Sequence, residues 1–324
     1  MNEFELIERF FTRPPRSESV ALGVGDDAAL LVPTSGCELV VSVDMLVEGR
    51  HFFAGADPER LGHKTLAVNL SDIAAMGATP RWALLAGALP DNDPAWLAAF
   101  ARGFHALAQR HGVDLVGGDT TRGPRNLCVT ILGEVPTDRA LRRDGARVGD
   151  EIYVSGELGD AALAVAVTGR RSSLDAGALA AARARLETPE PRIALGLALR
   201  DVASAAIDVS DGLTGDLGHI LTRSHVGAVV LLAAIPRSNA LAMKQNGAER
   251  ALALECLLAG GDDYELLFTA PPAAAPRIAE IAMALALKLT RIGSIVDGAD
   301  LVILDERGIA LPNIPRAYDH FAGS

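Results

Sequence analysis

The chain has 324 residues, of which 49% are hydrophobic, and a formal net charge of -11. This length favours two domains, and the apolar content is sufficient to bury their cores without disulfides. The acidic balance disfavours nucleic acid and anionic membranes as partners, because both attract basic surfaces.

The N-terminal run MNEFELIERFF contains three Glu, whereas a signal peptide needs a basic start and an unbroken apolar core. The apolar stretches elsewhere are broken by Arg, Asp or Gly before they reach membrane-spanning length. Cys37, Cys128 and Cys256 are scattered and odd in number, which is typical of a reducing compartment. We therefore expect a cytoplasmic protein with no membrane partner.

The first half of the chain predicts a mixed αβ domain. Residues 38–47 indicate a strand rich in β-branched side chains. A helix is predicted from Pro58, with apolar residues recurring near every 3.6 positions, to a stop at Gly77. A second helix is predicted at 94–112, and further strands at 81–90, 113–118 and 127–135.

A polar, Arg-rich segment at 136–150 is the predicted domain junction, which gives domains at 1–137 and 148–324. In the second domain, helices are predicted at 191–203 and 249–260. Strands are predicted at 151–156, 205–210, 226–232, 264–270, 289–295 and 301–306. The expected fold class is α+β, with two mixed αβ domains.

The stretch GVGDDAALL, residues 23–31, places Asp26 and Asp27 side by side in a glycine-rich turn. GVGDDA matches the loose dinucleotide pattern G-x-G-x-x-A, but the following AALLVP is too short and too β-like for the required helix. Two carboxylates would also repel a pyrophosphate. A P-loop is excluded more firmly, since no lysine follows a glycine. Asp26 is expected to cap the turn.

Aspartates recur at strand ends and turns, which are the usual positions of binding groups. Any single one has an ordinary explanation, because Asp favours turns and helix caps. If these aspartates lie close together in the fold, their carboxylates repel one another and need bound cations. Oxygen ligands without His or Cys favour Mg²⁺, and Mg²⁺ held in this way suits a bound nucleoside triphosphate. The residues are Asp27, Asp44, Asp72, Asp119, Asp208 and Asp211, with Ser42 and Ser210 beside them.

Other polar residues leave alternatives open. His51, in EGRHFF, fits contact with an anionic substrate as well as packing beside two Phe residues. Arg142 and Arg143 fit either a phosphate contact or a solvated linker. GGDDYEL, at 260–266, fits a binding loop or only a helix C-cap followed by a turn.

Seven motifs in order give the chain a specific resemblance: GVGDDAA, SVDMLVEGRHF, LAVNLSDIAAMGATP, GGDTTRG, IDVSDGL, GGDDYEL and AYDHF. Together they resemble the thiamine-monophosphate kinases, members of the superfamily that includes aminoimidazole ribonucleotide synthetase. The resemblance spans nearly the whole chain. It implies a homodimer built through the N-terminal sheets and Mg²⁺-dependent transfer of the ATP γ-phosphoryl group to thiamine monophosphate, giving thiamine diphosphate.

The resemblance also implies roles for single residues. It gives substrate contacts to His51, Asp262 and Pro315, and ATP contacts to Gly118, Asp119, Arg143 and Ser210. Its implied catalytic set is Asp27, Asp44 and Asp72, which would hold a metal array. Its implied Mg²⁺ ligands are Asp27, Ser42, Val43 through its carbonyl, Asp44, Asp72, Asp119, Asp208 and Asp211.

Two positions depart from the family pattern. Related sequences often carry Glu in place of Asp262 and an aromatic residue in place of Pro315, so a ring contact is missing or falls to Tyr318. Three rival functions stay open. They are an ATP-dependent synthetase of the same superfamily, a multi-metal phosphohydrolase and a silent nucleotide-binding protein. GGDDYEL and YDHF favour the kinase over the synthetase.

Overall fold

The computed structural model describes residues 2–315 and 317. The chain divides into two compact units, Met1–Ile73 with Ala78–Ala140, and Ala74–Gly77 with Leu141–Ser324. Each unit combines helices with a sheet, which confirms the predicted α+β fold. Across the described residues, no helix is both long enough and apolar enough to span a membrane.

The first unit contains a sheet with the strand order β3, β6, β4, β5. Its elements are α1 (Glu3–Leu6), β1 (Val20–Leu22), β2 (Leu30–Leu31), β3 (Cys37–Val47), α2 (Pro58–Ala75), β4 (Thr79–Leu89), α3 (Pro94–His111), β5 (Asp114–Arg122) and β6 (Asn126–Pro136). β6 pairs antiparallel with β3 and β4, while β4 and β5 are parallel. β1 and β2 form a separate small hairpin.

Local signals set the ends of α3 as the sequence predicts. The Asp93 side chain accepts the Ala95 N–H at 2.9 Å, and Pro94 occupies the first turn, where its missing N–H costs nothing. Gly112 ends the helix with φ 66°, a left-handed conformation that glycine adopts without strain.

Helix α2 is the most deeply buried helix of the first unit. Leu66, Leu70 and Ile73 are completely buried, and Ile73 packs against Gly133 of β6. On another side, α2 meets α3 at a contact of backbone against backbone, where Gly62 lies on Phe100 and Gly103 lies on Glu59. The position of α2 against the sheet is therefore set by close packing rather than by flexible side chains.

The second unit contains a mixed sheet with the order β12, β9, β11, β7, β10, β8. Its elements are β7 (Glu151–Ser155), α4 (Asp160–Thr168), α5 (Ala176–Glu187), α6 (Ile193–Leu199), β8 (Ala205–Asp208), α7 (Leu213–Ser224), β9 (Gly227–Leu231), α8 (Asn239–Gln245), α9 (Arg250–Ala259), β10 (Leu266–Ala270), α10 (Ala275–Ala284), β11 (Leu289–Val296) and β12 (Leu301–Leu304). Only the β9 and β12 pair is parallel. The predicted strands of this half are all present.

Two element boundaries differ from the sequence prediction. β5 does not end at Gly118, because its parallel pairing with β4 continues to Arg122, so Asp119 lies within a strand. α6 is shorter than the predicted helix at 191–203. It ends at Leu199, because Arg200 leaves the helical region with a ψ of 134° and Asp201 adopts a left-handed φ of 65°.

Candidate functional site

The turn between β1 and β2 explains why two aspartates are adjacent. The Asp26 carboxylate accepts the N–H of Asp27 at 2.8 Å, a local bond of the kind expected from a residue that caps the turn. Gly25 has a φ of 125°, which favours glycine. Both carboxylates are exposed, so water screens their repulsion. The Asp27 carboxylate therefore lies at the surface, where a ligand can reach it.

A cavity of about 770 Å³ is lined by residues of two of the motifs, GVGDDAA and GGDTTRG. Asp27 and the Gly118–Asp119 pair line it, and apolar side chains such as Trp96 and Phe100 of α3 complete the wall. Gly118 has a φ of 152°, and a Cβ there would lie 1.9 Å from the Leu85 carbonyl oxygen. The GGD motif therefore needs glycine, because β5 passes too close to β4 for a side chain.

A second group of oxygen atoms lies between β3 and α2. The Ser42 hydroxyl donates to the Asp72 carboxylate. The N–H of Asp44 donates to the side-chain oxygen of Asn69 at 3.0 Å, and the Asn69 amide nitrogen donates to the Thr65 carbonyl at 3.0 Å. Asn69 is fully buried, so these bonds fix its orientation and hold edge strand β3 on the helix.

Asn69 is a site residue that the sequence prediction missed. It lies one helical turn before Asp72, within the motif that was singled out for its aspartate. Its spacing of three residues from Asp72 was the available signal, since residues three apart share a helix face. Val43 points the other way from its neighbours on β3 and is 58% exposed, so only its backbone is available to this group.

The two groups of the first unit are separated across the sheet. Asp44 pairs with Val129, Val129 with Leu85, and Leu85 with Gly118, so one row joins the two edge strands. Three steps of about 4.8 Å separate such strands by about 14 Å. Among the described residues, no three His, Cys, Asp or Glu side chains stand close enough to hold one metal ion. The predicted convergence of the carboxylates on metal remains a prediction.

His51 follows β3 and is partly buried. This degree of burial is compatible with both sequence alternatives, contact with an anionic substrate and packing beside Phe52 and Phe53. Its Nδ1 accepts the N–H of Val47 at 3.0 Å. A neutral imidazole with an acceptor at Nδ1 carries its proton on Nε2, where it acts as a donor. Lys64 donates to the His51 carbonyl at 3.3 Å, which adds a positive charge beside the turn. This arrangement suits an anion.

In the second unit, IDVSDGL forms the end of β8 and the start of α7. Asp208 is the last residue of β8 and is buried. The N–H groups of Ser210, Asp211 and Gly212 all donate to one oxygen of Asp216, at 3.0, 3.1 and 3.1 Å. A single carboxylate therefore shapes the whole Ser-Asp-Gly turn.

Asp216 is a second residue of the candidate site that the sequence prediction missed. It is 2% exposed in the first turn of α7, where an acidic residue is favoured by the helix dipole. Burial and, to a smaller extent, the charge of Asp211 raise the pKa of Asp216 to about 7, although the three amide donors oppose the rise.

The GGDDYEL loop lies directly against the IDVSDGL turn. The N–H of Asp262 donates to the Ser210 carbonyl at 2.9 Å, and that of Tyr264 donates to the Val209 carbonyl at 2.8 Å. A Cβ at Gly261 would lie 2.3 Å from the Ser210 carbonyl oxygen. The loop is therefore more than a C-cap followed by a turn, because it brings Asp262 beside Ser210.

Two acidic residues of the same loop, Asp263 and Glu265, form hydrogen bonds that hold the loop in place. Glu265 is buried and accepts two bonds from the Arg192 guanidinium, at 2.6 and 2.5 Å, and one from the Ser155 hydroxyl at 2.5 Å. Asp263 accepts the N–H of Gly159, and burial raises the pKa of Asp263 well above its usual range. These contacts tie the loop to the ends of β7 and α4.

The remaining predicted site residues lie in less enclosed surroundings. Arg143 is exposed, and its carbonyl accepts the Ser224 hydroxyl at 2.8 Å, while its neighbour Arg142 pairs with Asp144. The Pro315 carbonyl accepts the hydroxyl of Thr214, on α7, at 3.2 Å. Tyr318 and the YDHF motif lie outside the described residues.

Two family models match the chain. The model "AIR synthase related protein, N-terminal domain" matches residues 25–135, and "AIR synthase related protein, C-terminal domain" matches residues 147–306. Both matches agree with the superfamily inferred from the motifs.

Individual relatives narrow the assignment. A thiamine-monophosphate kinase of Salmonella typhimurium is 44% identical over 99% of this chain and 98% of its own length. The crystal structure of thiamine-monophosphate kinase from Stenotrophomonas maltophilia has a TM-score of 0.87 at 46% identity, covering 96% of this chain and 98% of its own. A structure described as AaThiL complexed with AMPPCP and TMP has a TM-score of 0.78 at 30% identity, covering 94% and 93%. Motif order, fold and identity over nearly the full length agree, and the chain belongs to the thiamine-monophosphate kinase family.

Proposed function

We propose that this chain transfers the γ-phosphoryl group of ATP to thiamine monophosphate, with Mg²⁺, to give thiamine diphosphate and ADP. The observation that carries the proposal is the 44% identity to a thiamine-monophosphate kinase over 99% of the chain. The site geometry agrees with it, since Asp27 and Asp119, from separate motifs, line one cavity. A related structure described with AMPPCP, an ATP analogue, and TMP supports the same pair of substrates.

The side chains of the first unit fit Mg²⁺ by their chemistry. Their donors are carboxylates and a hydroxyl, which are hard oxygen ligands. Mg²⁺ commonly takes only one or two carboxylates and completes its shell with water and substrate phosphates. Separate small groups of acids, rather than a closed cage, suit this mode of binding. When bound, Mg²⁺ supplies charge neutralisation between ATP and the acceptor phosphate.

We assign the metal-holding role to the residues that the family resemblance implies. In the first unit they are Asp27, Ser42, Val43, Asp44, Asp72 and Asp119, and in the second Asp208 and Asp211. ATP contacts are assigned to Gly118, Asp119, Arg143 and Ser210. Contacts to thiamine monophosphate are assigned to His51, Asp262 and Pro315, and the Nε2 donor inferred for His51 suits a phosphate oxygen.

The acceptor chemistry removes the need for a strong general base. A phosphate monoester is largely ionised at neutral pH, so its oxygen can attack without losing a proton to the protein. Catalysis then depends on alignment and charge neutralisation, as in other phosphoryl transfers. We therefore propose direct in-line transfer without a covalent enzyme intermediate.

One assay separates this function from its rivals. The purified protein is incubated with ATP, Mg²⁺ and thiamine monophosphate, and thiamine diphosphate, ADP and phosphate are separated by chromatography. We expect one thiamine diphosphate for each ADP. Phosphate release without an acceptor would instead indicate a phosphohydrolase, and binding of MgATP without turnover would indicate a silent nucleotide-binding protein.

We also propose that the chain is a homodimer formed through the first unit. Edge strand β3 presents a stripe of apolar side chains on its outer face: Leu39, Val41, Val43 and Met45 are 48%, 59%, 58% and 50% exposed. An exposed, regular edge strand with an apolar face is a liability unless another surface covers it. A second copy, related by a two-fold axis, would bury the same stripe on both chains.

Val41→Lys is expected to convert the dimer into a monomer, because it places a charge in the middle of the buried stripe. Light scattering after size-exclusion chromatography measures the mass. The control is Met243→Lys, at a residue that is 69% exposed in the second unit and should leave the dimer unchanged. A monomeric parent chain, or a Val41→Lys protein with the parent mass, would refute the proposed interface.

A further inference from the structure

The GGDDYEL loop carries an unusual backbone. Asp262 and Tyr264 both adopt left-handed conformations, with φ of 71° and 50°. Asp tolerates this region, but a bulky residue such as Tyr is rarely found there, and such strain persists only where the surroundings impose it. The surroundings here are the hydrogen bonds that hold this loop to Val209 and Ser210.

The strained backbone brings the two side chains together. The Tyr264 hydroxyl donates to Oδ1 of Asp262 at 3.2 Å. Tyr264 is 8% exposed, so its ring is fixed by packing, whereas Asp262 is only partly buried. A fixed, buried donor thus holds a more accessible carboxylate in one orientation.

The chemistry of this pair favours a cationic ligand. A phenol hydroxyl that donates to a carboxylate forms a charge-assisted hydrogen bond, which fixes the direction in which that carboxylate points. Thiamine monophosphate carries a positively charged thiazolium ring and an aminopyrimidine, both of which an oriented carboxylate attracts. This step rests on the proposed function, in which Asp262 contacts that substrate.

We propose that Tyr264 is a positioning residue for thiamine monophosphate, and that it acts by orienting the Asp262 carboxylate. The alternative is that the Tyr264 ring only fills the core of the second unit. The two roles differ in what the hydroxyl does, because packing depends on the ring and orientation depends on the oxygen atom.

Tyr264→Phe removes only that oxygen. We expect the Kd and KM for thiamine monophosphate to rise about fivefold to tenfold, which is within the range for the loss of one ordinary hydrogen bond. The KM for ATP and the melting temperature should stay near the parent values. Calorimetric titration with thiamine monophosphate and steady-state kinetics with each substrate varied measure the difference.

The chain offers a matched control in Tyr153. This tyrosine is 7% exposed in the same unit, and its hydroxyl donates to the Glu151 carboxylate at 2.5 Å. Tyr153→Phe removes the same kind of bond away from the loop and should leave both substrates unaffected. A double-mutant cycle adds a second criterion, since Tyr264→Phe should have little further effect on the Kd once Asp262→Asn is present.

The outcomes distinguish this inference from the proposed function. A parent-like Kd for Tyr264→Phe, equal effects of both Tyr→Phe changes, or full additivity with Asp262→Asn would overturn the positioning role. A parent chain that binds thiamine monophosphate but forms no thiamine diphosphate would contradict only the proposed function. A parent chain that does not bind thiamine monophosphate would overturn both.

Discussion

Asp72→Asn is expected to lower kcat by about 10³-fold or more, because it removes a negative charge from the group proposed to hold Mg²⁺ against ATP. Shape is preserved, and the amide oxygen of Asn still accepts the hydroxyl of Ser42, which contacts Asp72 in the folded protein. The loss should therefore appear in turnover and in the dependence of rate on Mg²⁺. It should not appear in the melting temperature.

The control for Asp72→Asn makes the same chemical change elsewhere. Asp175 caps α5 by accepting the N–H of Ala178 at 2.9 Å, and Asn caps helices about as well as Asp. Asp175→Asn should keep the parent kcat and stability. Near-normal turnover by Asp72→Asn would refute the assigned role. A large loss of stability would show that Asp72 supports the fold instead.

The sequence predicts best those elements whose signals are local. The ends of α3 follow from Asp93, Pro94 and Gly112, each of which acts within one turn of the helix. β3 follows from its run of β-branched residues. The role of Asp26 as a turn cap also follows from its own neighbours, and the structure confirms it.

The contacts that organise the site depend on distant parts of the chain. Asn69 is a site residue because β3 passes beside α2, 25 residues away in sequence. The location of Asp119 within β5 results from pairing with β4, which periodicity in a six-residue run does not reveal. Nothing in GGDDYEL alone indicates that a tyrosine adopts a left-handed backbone, since its propensity points to strand.

The position of helix α2 connects the contacts of Asn69 and Asp72 to the proposed chemistry. Asp72 and Asn69 act together only if α2 keeps one distance from β3, and the buried residues of α2 set that distance. The second side of α2 rests on α3 at the contact of Gly62 and Gly103. Substitutions at this contact should therefore disturb the site from a distance, through the position of the helix.

Gly103→Ala is expected to destabilise the first unit by about 3 kcal/mol or more, although Ala is the better helix former. A Cβ at Gly103 would lie 1.8 Å from the carbonyl oxygen of Glu59, and one at Gly62 would lie 2.0 Å from that of Phe100. Backbone atoms at these distances cannot rotate away, so the two helices must separate and lose close-packed contacts along their length.

Gly218, in α7, is the matched control, because a Cβ there meets nothing within 4 Å. Gly218→Ala should stabilise the protein by about 0.5 to 1 kcal/mol through helix propensity alone. Thermal and denaturant unfolding, followed by circular dichroism, measure both changes. Equal effects of the two substitutions would show that α2 and α3 adjust freely, and the glycine contact could then no longer be what holds Asp72 in place.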